Sequence, residues 1–275
     1  MARLYTVKNL GFIGAGRMAT ALAKGCIEAR LLPASAVLAS DPIEEARAKF
    51  AAESPGAQLV AGNAAVLAGA ETIVLAVKPQ MMSAVLAEIR PHVKPQHLLI
   101  SIAAGVTLAR LADGLPAATR LIRVMPNTPC LVGLGASCFA RGTSATADDA
   151  ALVERLLTSV GKAYEVEESQ LDAVTGLSGS GPAFIYTAIE ALAAGGAAMG
   201  LPEKLALELA AQTAAGAAGM VLQTGLSPAE LRNQVTSPGG TTLAGLKALD
   251  ERDGAGAFRA AVEAATRRSI ELGQA

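Results

Sequence analysis

Two short stretches of this sequence hold residue types that meet ligands through the main chain. In GFIGAGRMATALAKG, Gly14, Gly16 and Ala19 stand in the spacing G-x-G-x-x-A, directly after an apolar run and at the opening of a helical pattern. That spacing suits a dinucleotide. Gly14 permits a tight turn, Gly16 lets the backbone approach a pyrophosphate, and Ala19 allows close helix–sheet packing. Ala15, Arg17 and Met18 complete the loop, and the free N–H groups of the helix start face the phosphate. The second stretch, VTSPGGTTLAGL at 235–246, breaks into Ala- and Leu-rich helix with hydroxyls, a proline and two glycines. Gly239 and Gly240 expose N–H groups, Thr241 and Thr242 add hydroxyls, and the dipole of the following helix favours an anion. The same residues also read as a proline–glycine corner with threonines as N-caps, and spacing alone leaves both readings open.

Further polar positions fall at the ends of apolar runs. Ser40 and Asp41 close the second run, where an acid binds the adenosine ribose hydroxyls of NAD. Asp41-Pro42-Ile43-Glu44 is equally a helix start, with Asp41 as N-cap and Pro42 as first helical residue. No arginine directly follows the run to hold a 2′-phosphate, and Arg47 lies inside the helix; the pattern favours NAD without excluding NADP. Lys78-Pro79 follows TIVLAV, and SIAAG (101–105) follows another strand, both at the carboxyl edge where open α/β sheets bind ligands.

These positions need a scaffold. NLGFIG (9–14), AVLAS (36–40), QLVA (58–61), TIVLAV (72–77), HLLISI (97–102), RLIRVM (120–125), 136–140 and 162–166 read as strands. Helical spacing fills 17–29, 42–53, 79–90, 106–115 and 148–160. Strand–helix alternation predicts an α/β fold, a Rossmann-type doubly wound parallel sheet over residues 1–165. From 166 to 275 strands disappear, and helices are expected at 168–177, 182–199, 202–223, 228–235, 241–250 and 255–272, an all-α second domain. Pro202 and Pro228 sit in first turns, and Ser227 to Glu230 has capping-box spacing.

Composition narrows the classes. Hydrophobic residues make up 52% and charged residues 17% of 275 residues, which excludes disorder. Net charge is -1 with no basic run, so no nucleic-acid partner is expected. Cys26, Cys130 and Cys138 form no CxxC pair and read as reduced thiols of a cytoplasmic protein. His92 and His97, in RPHVKPQH, read as solvated, and no metal spacing exists. Arg3 and Lys8 precede an apolar stretch that Gly11, Gly14, Gly16 and Arg17 break, so no signal peptide is expected. Glu190, Lys204 and Glu208 punctuate the Ala-rich segments, and a soluble protein without membrane spans is the expectation.

GFIGAGRMA, AVKPQ (76–80), RVMPNTP (123–129), GLSGSGPAF (176–184) and VTSPGGTT (235–242), in that order, resemble the pyrroline-5-carboxylate reductase family from about residue 9 to 272. The resemblance implies a Rossmann domain, a helical domain that interlocks with a twofold mate, and assemblies of dimers, commonly decamers. It implies reduction of a cyclic imine, L-1-pyrroline-5-carboxylate, to proline with NADPH or NADH and no metal. By position, Gly14 to Ala19, Ser40, Asp41, Asn63, Ala76, Val77, Lys78, Pro79, Ala103, Ala104 and Asn127 resemble cofactor contacts. Gln234, Ser237, Gly239, Gly240, Thr241 and Thr242, with Ser178 and Ser180 of SGSGP, resemble the substrate wall. Thr242 matches the hydroxyl proposed to assist protonation, a task that water also serves. Asp41, Asn233 and Cys130 depart from residues commoner in the family, Asp41 near the adenosine 2′ position.

Two rivals are separable. β-Hydroxyacid dehydrogenases resemble G-x-x-G-x-G-x-x-x-K at the start of the helical domain; Gly176, Gly179 and Gly181 match, but Ile185 replaces the lysine that serves as acid–base. A hydroxyl substrate then lacks a proton acceptor, whereas an imine needs none. A non-catalytic NAD(P) sensor would keep the glycine loop without requiring SGSGP and SPGGTT together.

Overall fold

The computed structural model describes residues 8–274; residues 1–7, Arg3 among them, and 275 lie outside the described residues. Eight strands form one sheet: β1 (Leu10–Ile13), β2 (Val37–Ser40), β3 (Gln58–Leu59), β4 (Thr72–Leu75), β5 (Leu98–Ser101), β6 (Arg120–Met125), β7 (Gly135–Arg141) and β8 (Gly161–Glu165). Their order is β3-β2-β1-β4-β5-β6-β7-β8. The first six run parallel, and β1, β2, β4 and β5 are buried along their full length, so each reads as an unbroken apolar run.

The last two strands depart from the expected parallel sheet. β7 pairs antiparallel with β6, and β8 is parallel to β7. The link between β6 and β7 holds only a short 3-10 turn, Thr128–Val132. A parallel return requires a crossover longer than that, so the chain doubles back.

Helices α1 (Arg17–Glu28), α2 (Glu44–Glu53), α3 (Asn63–Gly69), α4 (Met82–Ile89), α5 (Leu108–Asp113) and α6 (Ala147–Thr158) cover the sheet. Two apolar clusters result, one around Phe12, Phe50, Val153 and Leu156, the other around Ile73, Met82, Ile89, Leu99 and Leu111. The spacing gave no sign of α3. It is short, it buries only Val66 and Leu67, and a Cβ on its last residue, Gly69, would collide with Leu38.

Strands end at β8. The next segment, read as one helix over 168–177, is a 3-10 turn (Glu168–Gln170), a four-residue helix α7 (Leu171–Val174) and a π-helical turn (Thr175–Gly179). Then follow α8 (Gly181–Ala198), α9 (Glu203–Thr224), α10 (Pro228–Gln234), α11 (Thr241–Asp250) and α12 (Gly254–Gln274). The capping box at α10 forms as spaced: the Ser227 hydroxyl accepts from the Glu230 N–H at 3.2 Å, and Glu230 Oε2 accepts from the Ser227 N–H at 2.8 Å.

By contacts the chain makes two compact units, one reaching Gly179 and taking in the chain again from Ala265, the other Ser180–Ala264. The reason that 166–179 and the end of α12 belong with the sheet is a charged node. Arg123, 5% exposed, pairs with Glu168 at 3.1 Å and Asp172 at 3.8 Å. Glu168 accepts from the Leu108 N–H at 2.7 Å, and the Ser269 hydroxyl donates to Asp172 at 2.7 Å.

One expectation needs correction. His97 is not solvated; it is 2% exposed at the entry to β5, its Nδ1 accepting from the Lys94 N–H at 3.0 Å, and burial holds its pKa below the usual histidine value. α9 is long and apolar enough to cross a bilayer by length and composition, because its charges, Glu203, Lys204 and Glu208, crowd its first turns. Cys26, Cys130 and Cys138 are free thiols, and burial pushes Cys26 and Cys130 up to about 11.

Candidate functional site

The carboxyl ends of the parallel strands gather the expected cofactor residues in the first unit. β1 lies between β2 and β4, the point at which strand order reverses and crevices form. The register aligns Ile13 with Ser40 on one side and with Leu75 on the other, and Leu75 with Ser101. Gly14, Asp41, Ala76 and Ile102 therefore emerge side by side. The Gly14 N–H donates to the Ser40 carbonyl at 2.8 Å, and the Ala76 N–H to the Ile13 carbonyl at 2.8 Å.

The two glycines of the loop differ in what demands them. Gly14 has φ +98°, and a Cβ there would lie 2.8 Å from the Ala76 carbonyl oxygen, so the fold itself requires glycine. Gly16 has φ −72° and ψ −179°, and a Cβ there would meet nothing within 4 Å. The protein makes no packing demand for glycine at 16. Gly16 is also the N-cap of α1, with no side-chain cap and no acid in the first turn, so the helix start keeps its N–H groups available to an anion. Ala15 and Ala19 are buried, as the tight turn and close packing demand. Met18 accepts a contact from the Cys130 thiol at 3.2 Å, and Arg17 is exposed.

Asp41 does not cap α2, whose N-cap is Ile43. Its Oδ1 accepts from the Ile43 N–H at 2.9 Å in a local turn, and its Oδ2 accepts from the Ala15 N–H at 2.8 Å. Arg47, set aside as too far along the helix, donates from Nη1 to the Asp41 carbonyl at 2.7 Å. The Ser40 hydroxyl donates to Asn63 Oδ1 at 2.7 Å, and Asn63 Nδ2 to Glu88 at 2.9 Å. Lys78 and Pro79 are exposed beyond β4, beside half-buried Ala76 and Val77; Ala103 is buried and Ala104 exposed beyond β5. Asn127, beyond β6, is 7% exposed and bonded to Ser178 and Ala136. The family resemblance singles out Asn127 through the RVMPNTP motif but carries no sign of its partners, of which Ser178 lies far along the chain.

In the second unit, Gln234 ends α10 and the chain turns through Thr236, Ser237 and Gly239 into α11. The Thr236 hydroxyl donates to the Arg232 carbonyl at 2.7 Å, and the Gly240 N–H to the Ser237 carbonyl at 3.0 Å. Gly239 has φ +71°, which favours glycine. Gly240 is the N-cap of α11, again without a side-chain cap. Thr241 and Thr242 lie inside the first turn, not at the cap, so the reading of this stretch as a threonine-capped corner does not hold. Ser180 is the N-cap of α8 without a side-chain cap bond, with Pro182 in the first turn, while Ser178 sits in the π turn of the first unit. Among the described residues no cluster of three or more His, Cys, Asp or Glu could hold a metal.

Residues 168–272 match the family model for pyrroline-5-carboxylate reductase dimerisation, and residues 9–105 that for NADP oxidoreductase, coenzyme F420-dependent. The chain is 46% identical over 264 residues to pyrroline-5-carboxylate reductase of Pisum sativum, covering 96% of each. The chain belongs to the pyrroline-5-carboxylate reductase family. Among solved structures of the family, that from Coxiella burnetii matches with TM-score 0.90 and 34% identity over 97% of this chain and 98% of its own. The Plasmodium falciparum structure, with NADP bound, matches with TM-score 0.86 and 32% identity over 96% and 98%.

Proposed function

We propose that this protein reduces the cyclic imine 1-pyrroline-5-carboxylate to proline with NAD(P)H, the last step of proline biosynthesis. The observation that carries the reading is family identity along 96% of the chain. Bound at the β1 edge, NAD(P)H supplies the hydride that adds to the C=N carbon. The chain's own work is orientation and charge. The uncapped start of α1 and the open face of Gly16 take the pyrophosphate. Lys78, Pro79, Ala103 and Ala104 line the same edge. In the second unit the N–H groups at the start of α11 hold the substrate carboxylate, and the Thr242 hydroxyl hydrogen-bonds the imine nitrogen as it gains a proton.

We assign NADH as the preferred donor. Asp41, carboxylate-first beyond β2 and bonded to the Ala15 N–H, supports a site that accepts ribose hydroxyls and repels a 2′-phosphate.

We further propose a homodimer built through the second unit. That unit exposes Ile185, Tyr186, Leu192, Leu209, Met220 and Leu222, large apolar side chains that a second copy would cover. A second copy, not a bilayer, covers the apolar face of α9 in this reading, and the resemblance carries the further expectation of decamers made from such dimers. The three free thiols favour a cytoplasmic location.

The experiment that tests the reaction is oxidation of NADH and of NADPH by the purified protein, with and without pyrroline-5-carboxylate. Oxidation that depends on the imine is the expected result. Cofactor binding without turnover would shift the reading to another imine or to a nucleotide sensor.

A further inference from the structure

RVMPNTP and GLSGSGPAF, distant in sequence, are joined by one side chain. Asn127 Nδ2 donates to the Ser178 carbonyl at 3.2 Å and to the Ser178 hydroxyl at 3.1 Å, and Asn127 Oδ1 accepts from the Ala136 N–H at 2.9 Å. The Ser178 hydroxyl passes the bond on to the Ala136 carbonyl at 2.7 Å. The amide nitrogen of Asn127 and its carbonyl oxygen are thus both engaged by the protein itself. Ser178 belongs to the π turn Thr175–Gly179. Such turns are rare in proteins. A second hold comes from the same strand end: a Cβ on Gly179 would run into the Met125 methyl, so glycine there lets Met125 pack directly on the turn.

We propose that Asn127 is a positioning residue, which sets the π turn and through it Ser178 and the chain entering SGSGP, and that it is not a ligand of the dinucleotide. The inference rests on the imine-reductase reading above and on the family resemblance that places Ser178 at the substrate wall. Asparagine suits the task because the turn needs a donor pair for Ser178 and an acceptor for Ala136 from one side chain. The hydroxyl of Ser178 then serves chiefly to tie the turn to β7, and substrate recognition depends on where the turn sits.

The test uses the full-length protein with Asn127→Ala, Ser178→Ala and the double variant, reading kcat, the KM for pyrroline-5-carboxylate, and the Kd for NADH by fluorescence titration. The KM for the imine rises about tenfold in each single variant and no further in the double, because the two residues act as one unit. The NADH Kd stays within about twofold of the parent, since no cofactor contact is lost. A weakened NADH Kd with an unchanged imine KM would overturn the proposal in favour of direct cofactor binding, and additive effects in the double variant would overturn it too. If Asn127→Ala fails to fold, Ser178→Ala, which deletes a single hydroxyl, carries the same KM test. A parent protein that reduces no imine would defeat the reaction assignment and this proposal together, whereas an active parent with unaltered variants defeats the proposal alone.

Discussion

The carboxylate of Asp41 accepts a hydrogen bond from the Ala15 N–H at 2.8 Å, tying the end of β2 to the middle of the glycine loop. The bond fixes a negative charge beside the place where an adenosine ribose enters a Rossmann crevice. Asp41→Ser removes that charge and puts a hydroxyl in its place. We expect the ratio of kcat/KM for NADH to that for NADPH to fall about tenfold, the size of one 1.4 kcal/mol change. An unchanged ratio in steady-state assays would remove Asp41 from cofactor selection.

Gly14 and Gly16 separate folding from binding. Gly14→Ala forces a side chain at φ +98° against the Ala76 carbonyl, so a lowered thermal midpoint is expected, with a loss of about 1–3 kcal/mol. Gly16→Ala meets no protein atom and should melt like the parent, yet bind NADH about tenfold more weakly because the methyl occupies the pyrophosphate's approach. Calorimetric melting with cofactor titration on both variants checks the split; equal melting losses in the two would contradict it.

Thr242 lies in the first turn of α11 with its hydroxyl free of any capping role. Thr242→Ala should lower kcat or raise the KM for pyrroline-5-carboxylate by about a hundredfold, the lower end of what a positioned proton transfer contributes, while NADH affinity holds. Parent-like kinetics would deny it a part in catalysis.

The exposed apolar face of the second unit calls for a charge-insertion test. Leu222→Arg, at a side chain 78% exposed in the single chain, should leave an isolated chain almost undisturbed but split a dimer. Sedimentation velocity should show a dimer for the parent and a monomer, with activity lost, for the variant. A fully active monomeric parent at assay concentration would end the proposal.

His97 gives a pH dependence with a defined sign. Burial lowers its folded pKa from 6.5, so the neutral form is favoured in the native state and the unfolded chain binds the extra proton first. Its contribution is complete above the unfolded value of 6.5 and is lost as pH falls below 6.5 through the folded value. Urea unfolding followed from neutral pH downward should show a falling midpoint, and His97→Gln should flatten that fall.

The eight strands and most helices were legible because local patterns produce them. Apolar runs of four to six residues mark buried parallel strands, and Ser227 with Glu230 marks a helix start through bonds three residues apart. The glycine loop was legible for the same reason: Gly14, Gly16 and Ala19 fall within one tight turn and the helix start that follows it. α3 escaped because two buried side chains between glycines leave no periodicity to detect.

What residue order alone settled, then, was the strand order along the chain, the long helices and the family to which the motifs belong. Tertiary structure decided the reversal of β7, the burial of His97, the grip of Asp41 on Ala15 and the clamp of Asn127 on Ser178. Each depends on groups far apart in the chain, and a local pattern cannot encode which distant atom satisfies a buried donor. Folding must leave few such donors unsatisfied, and the partner is known only when the sheet has brought the chain ends together.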